Sequence, residues 1–331
     1  MSSTDAPSPG NRPTRVRGFG AEIAASSRSD QVIVGLILLF YLIILTVFII
    51  SCVEHRPDLQ MQVAGLGVGS MYVLCIWHSV KMMGARPTIG FFVLAAIVTY
   101  FSEYMGDNHG WFFGIYKYTG SLGPRIGGVP PLIILCWGVV LYSGFMLIDW
   151  LLDLRGQRRG STVLGRTVWS ALVAAATGML LVAFDLLTDP MAVSGVWMKT
   201  VGTEPWWWWQ GGAYLPELQV WQGSGGIPLT NFAGWFGVPF VIVFVFLLLF
   251  RRPALGERRM VEIAPLLIYG YLYITMVAAL ITMSWVDPGL SQAAMIGTFT
   301  MGPVLVLGIT KLVRDYSHPA PVNPPSQGSS P

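Results

Sequence analysis

Long apolar runs separated by short polar segments dominate this chain. A helix that crosses the hydrocarbon core of a bilayer needs roughly 20 mostly apolar residues, and eight runs meet that requirement. They cover approximately residues 32–53, 61–82, 88–105, 129–152, 166–187, 228–250, 261–283 and 289–312. The pattern predicts an all-α integral membrane protein, with a bundle of about eight transmembrane helices within residues 31–314.

The two ends of the chain differ from this polytopic region. Residues 1–30 are rich in Ser, Pro, Gly and Arg, and residues 315–331 are rich in Pro and Ser. Segments of this composition cannot bury enough apolar surface to fold, so both are predicted to be disordered tails. Residues 1–30 also lack the leading apolar stretch of a secretory signal peptide.

Basic residues are distributed unequally between alternate connections. With the N-terminus in the cytoplasm, the inner segments hold 16 of the 20 Lys and Arg residues. The outer segments hold only Arg56, Lys117, Arg125 and Lys199. Because positive charge concentrates in cytoplasmic loops, both termini are predicted to be cytoplasmic, in a multi-pass protein of the cell (cytoplasmic) membrane. Residues 106–128 and 188–227 then form two long loops at the outer face.

Composition supports the membrane assignment and excludes other classes. The chain is 53% hydrophobic and 11% charged, whereas a soluble domain carries about 25% charged residues. The formal net charge of +3 gives no reason to expect nucleic-acid binding. Cys52, Cys75 and Cys136 lie in apolar runs without metal-ligand spacing, and His109 is the single histidine of the long loops, so no metal site is expected.

Three glycines, Gly65, Gly67 and Gly69, alternate with other residues inside the second apolar run. Small residues within a membrane span commonly let two helices approach closely, so we expect these glycines to serve helix packing. The sequence contains no phosphate-binding loop, dinucleotide fingerprint or haem-attachment motif, and no cofactor is expected.

Two predicted helical hairpins repeat one pattern. Gly-Gly-Val-Pro130 opens the second helix of one hairpin, Gly-Gly-Ile-Pro228 opens that of the other, and a Trp follows each Pro by seven residues (Trp137 and Trp235). Proline in the first helical turn costs no hydrogen bond, and the preceding glycines allow a tight turn. The repeat has two interpretations. It reflects either two similar helix starts, or two parallel hairpins, about residues 88–152 and 166–250, that jointly build one site.

Each hairpin carries two carboxylates four residues apart at the outer end of its first helix, Glu103 with Asp107 and Asp185 with Asp189. That spacing places both members on one helix face. Charge near a membrane span is costly and marks a functional site by default. The negative helix end and partial burial both favour a neutral carboxyl group, which suits a general acid.

The four carboxylates are expected to differ in depth. Asp185 should lie deepest, about one turn inside its apolar run, and Glu103 is comparably placed. Asp107 and Asp189 should lie nearer water. Pro190 disfavours helical geometry at the residue before it, which favours a capping position for Asp189.

Aromatic residues are dense in both loops. They are Trp111, Phe112, Phe113, Tyr116 and Tyr118 in the first loop, and Trp206–Trp209, Tyr214 and Trp221 in the second. One interpretation is an aromatic belt at the membrane interface. The other is a pocket whose aromatic faces stabilise a carbocation beside an acid.

These same residues resemble a known family. The stretch Glu103-Tyr-Met-Gly-Asp-Asn-His-Gly-Trp-Phe-Phe-Gly-Ile-Tyr-Lys-Tyr-Thr119, followed by Leu-Gly-Pro124 and Gly-Gly-Val-Pro130, resembles the membrane-type carotenoid hydratases (CruF-type, including bisanhydrobacterioruberin hydratase). The second hairpin adds Asp185, Asp189-Pro190 and Gly226-Ile-Pro-Leu-Thr-Asn-Phe-Ala-Gly-Trp235. The likeness covers roughly residues 88–250, and Trp206–Trp209 look like a local elaboration.

The resemblance implies a hydro-lyase of carotenoid biosynthesis that adds water across a terminal carbon–carbon double bond of an acyclic carotenoid, giving a tertiary alcohol. From the chemistry we expect Asp185 or Glu103 to protonate the alkene and the other to position water, with Asp107 and Asp189 as further candidates. The candidate substrate-binding residues are Trp111, Phe113, Tyr116, Tyr118, Trp137, Asn231 and Trp235. The expected partners are the carotenoid, the lipid bilayer and other enzymes of the same pathway, without nucleic acid.

Two other functions fit parts of the sequence. Acidic residues four apart on two helices also occur in UbiA-like prenyltransferases, where they hold magnesium and a diphosphate. Here, however, the acids are predicted to face outward, and the loops lack the Arg and Lys that a diphosphate requires. A non-enzymatic carotenoid or lipid carrier is the third possibility.

Overall fold

The structure, a computed structural model, describes residues 27–152, 162–218, 225–250 and 263–317. The predicted tails at residues 1–30 and 315–331 lie almost entirely outside these ranges. The helices of the described residues are α1 (Arg28–Val53), α2 (Pro57–Met83), α3 (Ala85–His109), α4 (Pro131–Leu151), α5 (Val163–Val193), α6 (Val196–Thr200), α7 (Leu229–Leu249), α8 (Ala264–Met283), α9 (Gly289–Thr300) and α10 (Gly302–Ser317). Two short strands, β1 (Tyr116–Tyr118) and β2 (Trp207–Trp209), lie in the long loops.

The prediction of an all-α membrane bundle is confirmed. Within the described residues, seven helical segments are long and apolar enough to cross a membrane. They belong to α1, α3, α4, α5, α7, α8 and the consecutive pair α9–α10. The remaining predicted span is the 27-residue helix α2, which packs against α1, α3 and α4. The predicted orientation of the termini stays a prediction.

The two repeated hairpins lie side by side. The first consists of α3 and α4 and the second of α5 and α7, and α7 packs against both α5 and α3. Their loops meet through β1 and β2, which pair antiparallel with Tyr116 opposite Trp209 and Tyr118 opposite Trp207. Both long loops therefore lie at the same end of the bundle, as the charge pattern predicts.

The first helices of both hairpins are longer than predicted. α3 continues to His109, and α5 continues through Pro190 to Val193. Proline leaves the carbonyl four residues earlier without its usual helical donor. In α5 this is the carbonyl of Leu186, which accepts a hydrogen bond from the Tyr214 hydroxyl at 2.9 Å. The expectation that Asp189 caps the helix is therefore wrong, because the second loop satisfies the backbone that Pro190 leaves open.

Two of the three glycines of α2 do not serve close packing. Among the described residues, a Cβ built at Gly65 or Gly69 would meet no atom within 4 Å, and one at Gly67 would meet only the Ile44 side chain, at 3.7 Å. The packing interpretation is therefore wrong for Gly65 and Gly69, which leave open space beside the helix, whereas Gly67 is buried and packs against α1.

Because both long loops lie at the same end of the bundle, labelling one of them tests the orientation of the protein in the membrane. In a variant whose three native cysteines are replaced by alanine, we place one cysteine at Ile126, which is 63% exposed in the first loop. A second variant places it at Arg158, in a connection predicted to be cytoplasmic. A membrane-impermeant maleimide should label the Ile126 variant in intact cells, and the Arg158 variant only after permeabilisation. The reverse labelling would overturn the predicted orientation.

Candidate functional site

A mostly apolar cavity of about 340 Å³ lies between the two hairpins and helices α1, α2 and α8. Its polar groups include Glu103 of α3, Asp189 of α5 and Asn231 of α7. Much of the surrounding wall is aromatic. The aromatic lining residues nearest these groups are Phe113, Tyr116, Tyr118, Trp137, Phe184, Trp207, Trp209 and Trp235. The carboxylates of both hairpins thus face one cavity.

Glu103 is buried and fully hydrogen-bonded. Its Oε2 accepts hydrogen bonds from the hydroxyls of Tyr116 and of Tyr118, the latter at 2.6 Å, and its Oε1 accepts one from the Trp137 indole N–H at 2.6 Å. Burial, with the nearby Glu103 charge, raises the pKa of Tyr118 well above its usual value, so this tyrosine remains a donor. A carboxyl group that accepts three hydrogen bonds is stabilised in its ionised form.

Strand β1 and one glycine bring the tyrosines to Glu103. Residues two apart on a strand share a face, so Tyr116 and Tyr118 are both buried while Lys117 points outward. Gly106 lies on α3 where Tyr116 crosses it, and a Cβ there would come within 2.7 Å of the Tyr116 ring. Gly106 therefore provides the space in which Tyr116 reaches Glu103.

The second hairpin supplies a pair of carboxyl groups. Asp185 and Asp189 are 0% and 1% exposed, and the Asn231 amide donates to Oδ2 of both, at 2.7 and 2.5 Å. Because the same amide nitrogen contacts both oxygens, the two carboxyl groups lie beside each other. Asp189 lines the cavity, whereas Asp185 lies behind it. The expectation that Asp189 lies nearer water is wrong, since the unbroken helix and the second loop bury it.

The two repeated tryptophans meet inside the bundle. Trp137 and Trp235 stack with their ring centroids 4.1 Å apart and their planes 20° from parallel. Trp137 also donates to Glu103, so the stack connects the carboxylate of the first hairpin to the second hairpin. The repeat in the sequence therefore corresponds to two hairpins that share one cavity.

Two predicted site residues point elsewhere. The Asp107 carboxylate accepts a hydrogen bond from the Tyr118 backbone N–H at 3.1 Å and lies 3.5 Å from the Lys117 ammonium, so it fixes the first loop. Trp111 is 56% exposed and does not line the cavity. It follows Gly110, which ends α3 in the left-handed conformation and turns the chain outward.

The candidate substrate-binding residues did not include Trp197, Trp206, Trp207 and Trp209, which all line the cavity, although the pocket interpretation of the second loop included the last three. Trp207 and Trp209 show how the second loop reaches the cavity. Both are buried on β2, and the Trp209 indole donates to the Phe113 carbonyl at 2.9 Å. The Trp206–Trp209 run was interpreted as a local elaboration, yet alternate residues of such a run would share one face of a strand.

Electrostatics connect the two hairpins. Glu103 and Asp189 line the same cavity, so their charges repel each other when both groups are ionised. Among the described residues, the cavity lining includes no Lys or Arg to offset that repulsion. Within the same residues, no group of three or more His, Cys, Asp or Glu side chains has the geometry to hold a metal ion.

Comparison with known proteins gives one match. A family model described as carotenoid biosynthesis protein matches residues 60–303, which include the whole cavity except the wall from α1. Searches of curated proteins and of solved structures found no match.

Gly106 provides a test of this arrangement. Gly106→Ala should lower the free energy of unfolding by about 1–3 kcal/mol, the usual cost of an inserted methyl group in a packed interior, because it displaces Tyr116 from Glu103. Gly237→Ala in α7 is the matched control, since a Cβ there meets nothing within 4 Å. The measurement is denaturant unfolding in detergent micelles, followed by tryptophan fluorescence. Equal stability of the two variants would contradict the role given to Gly106.

Proposed function

This chain belongs to the carotenoid biosynthesis protein family, and we propose that it is a hydro-lyase that hydrates a terminal double bond of an acyclic carotenoid. The family supports a carotenoid-related substrate and a membrane setting. Hydration of a trisubstituted alkene needs an acid, surroundings that tolerate a tertiary cation, and a group that accepts a proton from water. We further propose that the protein works in the cytoplasmic membrane.

The observation that carries this proposal is the contrast between two carboxyl centres in one apolar, aromatic cavity. Glu103 accepts three hydrogen bonds from neutral donors, an arrangement that favours the carboxylate. Asp185 and Asp189 instead share the Asn231 amide and face each other. Among the described residues of the cavity lining, no Lys or Arg lies beside them. Carboxyl groups with such different environments are typical of an acid and a base acting on one substrate.

The aspartate pair is the proposed proton source. The carboxyl groups of Asp185 and Asp189 both contact the Asn231 amide nitrogen, so they would repel each other if both were ionised. The pair therefore retains a proton. Within the described residues, Asp185 Oδ1 is buried without a hydrogen-bond partner, which costs a neutral carboxyl group less than a carboxylate. Asp189 lines the cavity, so we assign delivery of that proton to Asp189, and Asp185 is the carboxyl group with which Asp189 shares it before the reaction. This revises the expectation that Asp185 or Glu103 is the acid.

The reaction then proceeds in two steps. The Asp189 carboxyl group donates its proton to the less substituted alkene carbon, and the π electrons form that C–H bond, leaving a tertiary cation and the Asp189 carboxylate. A water oxygen bonds to the cationic carbon, and the Glu103 carboxylate accepts the proton that this water loses. Return of the proton from Glu103 to Asp189 through water restores the enzyme, and the net change is addition of one water.

The cavity wall supports the cationic intermediate. Aromatic faces attract cations, most strongly those of tryptophan, and Trp137, Trp207 and Trp235 all line the cavity. The Glu103 carboxylate adds a negative charge in surroundings of low dielectric, where electrostatic stabilisation is stronger than in water. Its three donors hold it in place before the reaction starts.

The prenyltransferase alternative receives less support from this geometry. It would use all four carboxylates as a cradle for magnesium and diphosphate, but Asp107 contacts Lys117 and the Tyr118 backbone instead. Activity that is lost in chelator and restored by magnesium would favour that alternative over hydration.

Carboxylate variants test the assignment. Asp189→Asn and Glu103→Gln preserve shape but remove the acid and the base, so each should lower hydration by about 10²–10⁴-fold, the usual contribution of general acid–base catalysis. Asp107→Asn should have a smaller effect, because its carboxylate holds the loop. The measurement is expression in a carotenoid-producing host, with pigments scored by mass for the gain of one water.

Membrane insertion of each variant, measured by immunoblotting of the membrane fraction, is the control. Near-normal hydration by correctly inserted Asp189→Asn would show that another group donates the proton. Complete loss in Asp107→Asn with unchanged insertion would show that the loop carboxylate takes part in the chemistry.

A further inference from the structure

One side of the cavity is lined by residues of α1, α2 and α8, and we call this side the apolar arm. The arm is lined by Ile44 and Phe48 of α1, Gly65 and Met71 of α2, and Leu272 and Met276 of α8. The lining residues of α8 extend from Tyr271 to Ala279. At a helical rise of about 1.5 Å per residue, this wall is about 12 Å long. The arm is thus a mostly apolar part of the candidate active site, with Thr275 among its α8 lining residues.

The size of the cavity limits what it encloses. Its volume of about 340 Å³ is near the lower end of pockets that hold drug-sized ligands, about 300–1,000 Å³. A long polyene chain exceeds that volume, so only one end of it fits while the remainder lies toward the lipid. The arm borders α1, whose only buried side chains among the described positions are Ile44 and Ser51.

The glycine at position 65 leaves the arm open. Among the described residues, a Cβ at Gly65 would meet no atom within 4 Å, so the missing side chain serves no packing contact. Glycine inside a helix costs about 1 kcal/mol relative to alanine. The opposite wall is formed by Ile44 and Phe48, four residues apart on one face of α1. Any larger side chain at position 65 would therefore occupy the arm itself.

We propose that the apolar arm binds the conjugated chain of a linear carotenoid, so that its terminal double bond lies between Asp189 and Glu103. This rests on the proposed function and adds residues that determine which substrates fit. A straight, rigid polyene fills a narrow apolar arm without losing much conformational freedom, whereas the carboxyl end accepts the reacting group. Gly65 sets the width of the arm, and Ile44 and Phe48 close its side toward lipid.

The test compares two glycines of the same helix. Gly65→Leu places a side chain in the arm, whereas Gly69→Leu is the matched control, because Gly69 also has open space but does not line the cavity. Each variant is purified in detergent from a host that makes linear carotenoids, and bound pigment is measured by visible absorbance per mole of protein. Gly65→Leu should bind pigment about ten- to hundredfold more weakly, the change in affinity expected when the burial of one apolar side chain is lost. Gly69→Leu should bind as much pigment as wild type.

Thermal unfolding distinguishes a variant whose arm is filled by the leucine side chain from a variant whose fold is damaged. Both leucine variants should melt at or above the wild-type temperature, since leucine is the better helix former. Asp189→Asn should retain pigment without hydrating it, so binding is measured independently of chemistry. If wild type and Asp189→Asn bind pigment but wild type makes no hydrated product, the hydratase proposal fails and the arm proposal stands. Pigment retained by Gly65→Leu, pigment lost equally by Gly69→Leu, or no pigment on wild type would each overturn the arm proposal.

Discussion

The buried carboxylate of Glu103 is the constraint on which the rest of the site depends. A charged group inside a membrane helix is costly unless hydrogen bonds replace the water it loses. Tyr116, Tyr118 and Trp137 provide those bonds from β1 and α4. The hydrogen bonds that Glu103 accepts from Tyr116 and Tyr118 therefore hold the first loop against α3. Because β1 pairs with β2, the tryptophans of the second loop are held over the same cavity.

The second hairpin repeats the architecture but not the chemistry. Trp235 occupies the position of Trp137 in the repeat and stacks upon it, yet it is Asn231, one turn earlier on α7, that holds the carboxyl groups. One amide bridging two aspartates leaves negative charge less well satisfied than three donors on one glutamate. Two similar hairpins thus produce two different carboxyl environments, which is what an acid–base reaction in one cavity requires.

Much of the fold could be predicted from the sequence, because the relevant signals are local. Apolar runs of the required length predicted the bundle. The Pro-to-Trp spacing gave paired hairpins as one of two interpretations. The ends of α3 and α5 were predicted too short, since the hydroxyl that satisfies Leu186 comes from Tyr214 in a distant loop. Burial of Asp189 follows from the same long-range contact. The outward direction of Trp111 and the inward direction of Trp207 depend on a turn and on a strand pairing that hydropathy does not encode.

Proton transfer to carbon is the central step of the proposed mechanism, and hydration in D₂O by purified wild-type protein tests it most directly. The product should carry one non-exchangeable deuterium, on the carbon next to the tertiary alcohol carbon, because the donated proton exchanges with solvent through Asp189 before it forms the C–H bond. Mass spectrometry of the isolated alcohol, after exchange of its hydroxyl proton in ordinary water, locates that deuterium. A hydrated product without carbon-bound deuterium, or no hydrated product at all from purified wild-type protein, would contradict the mechanism.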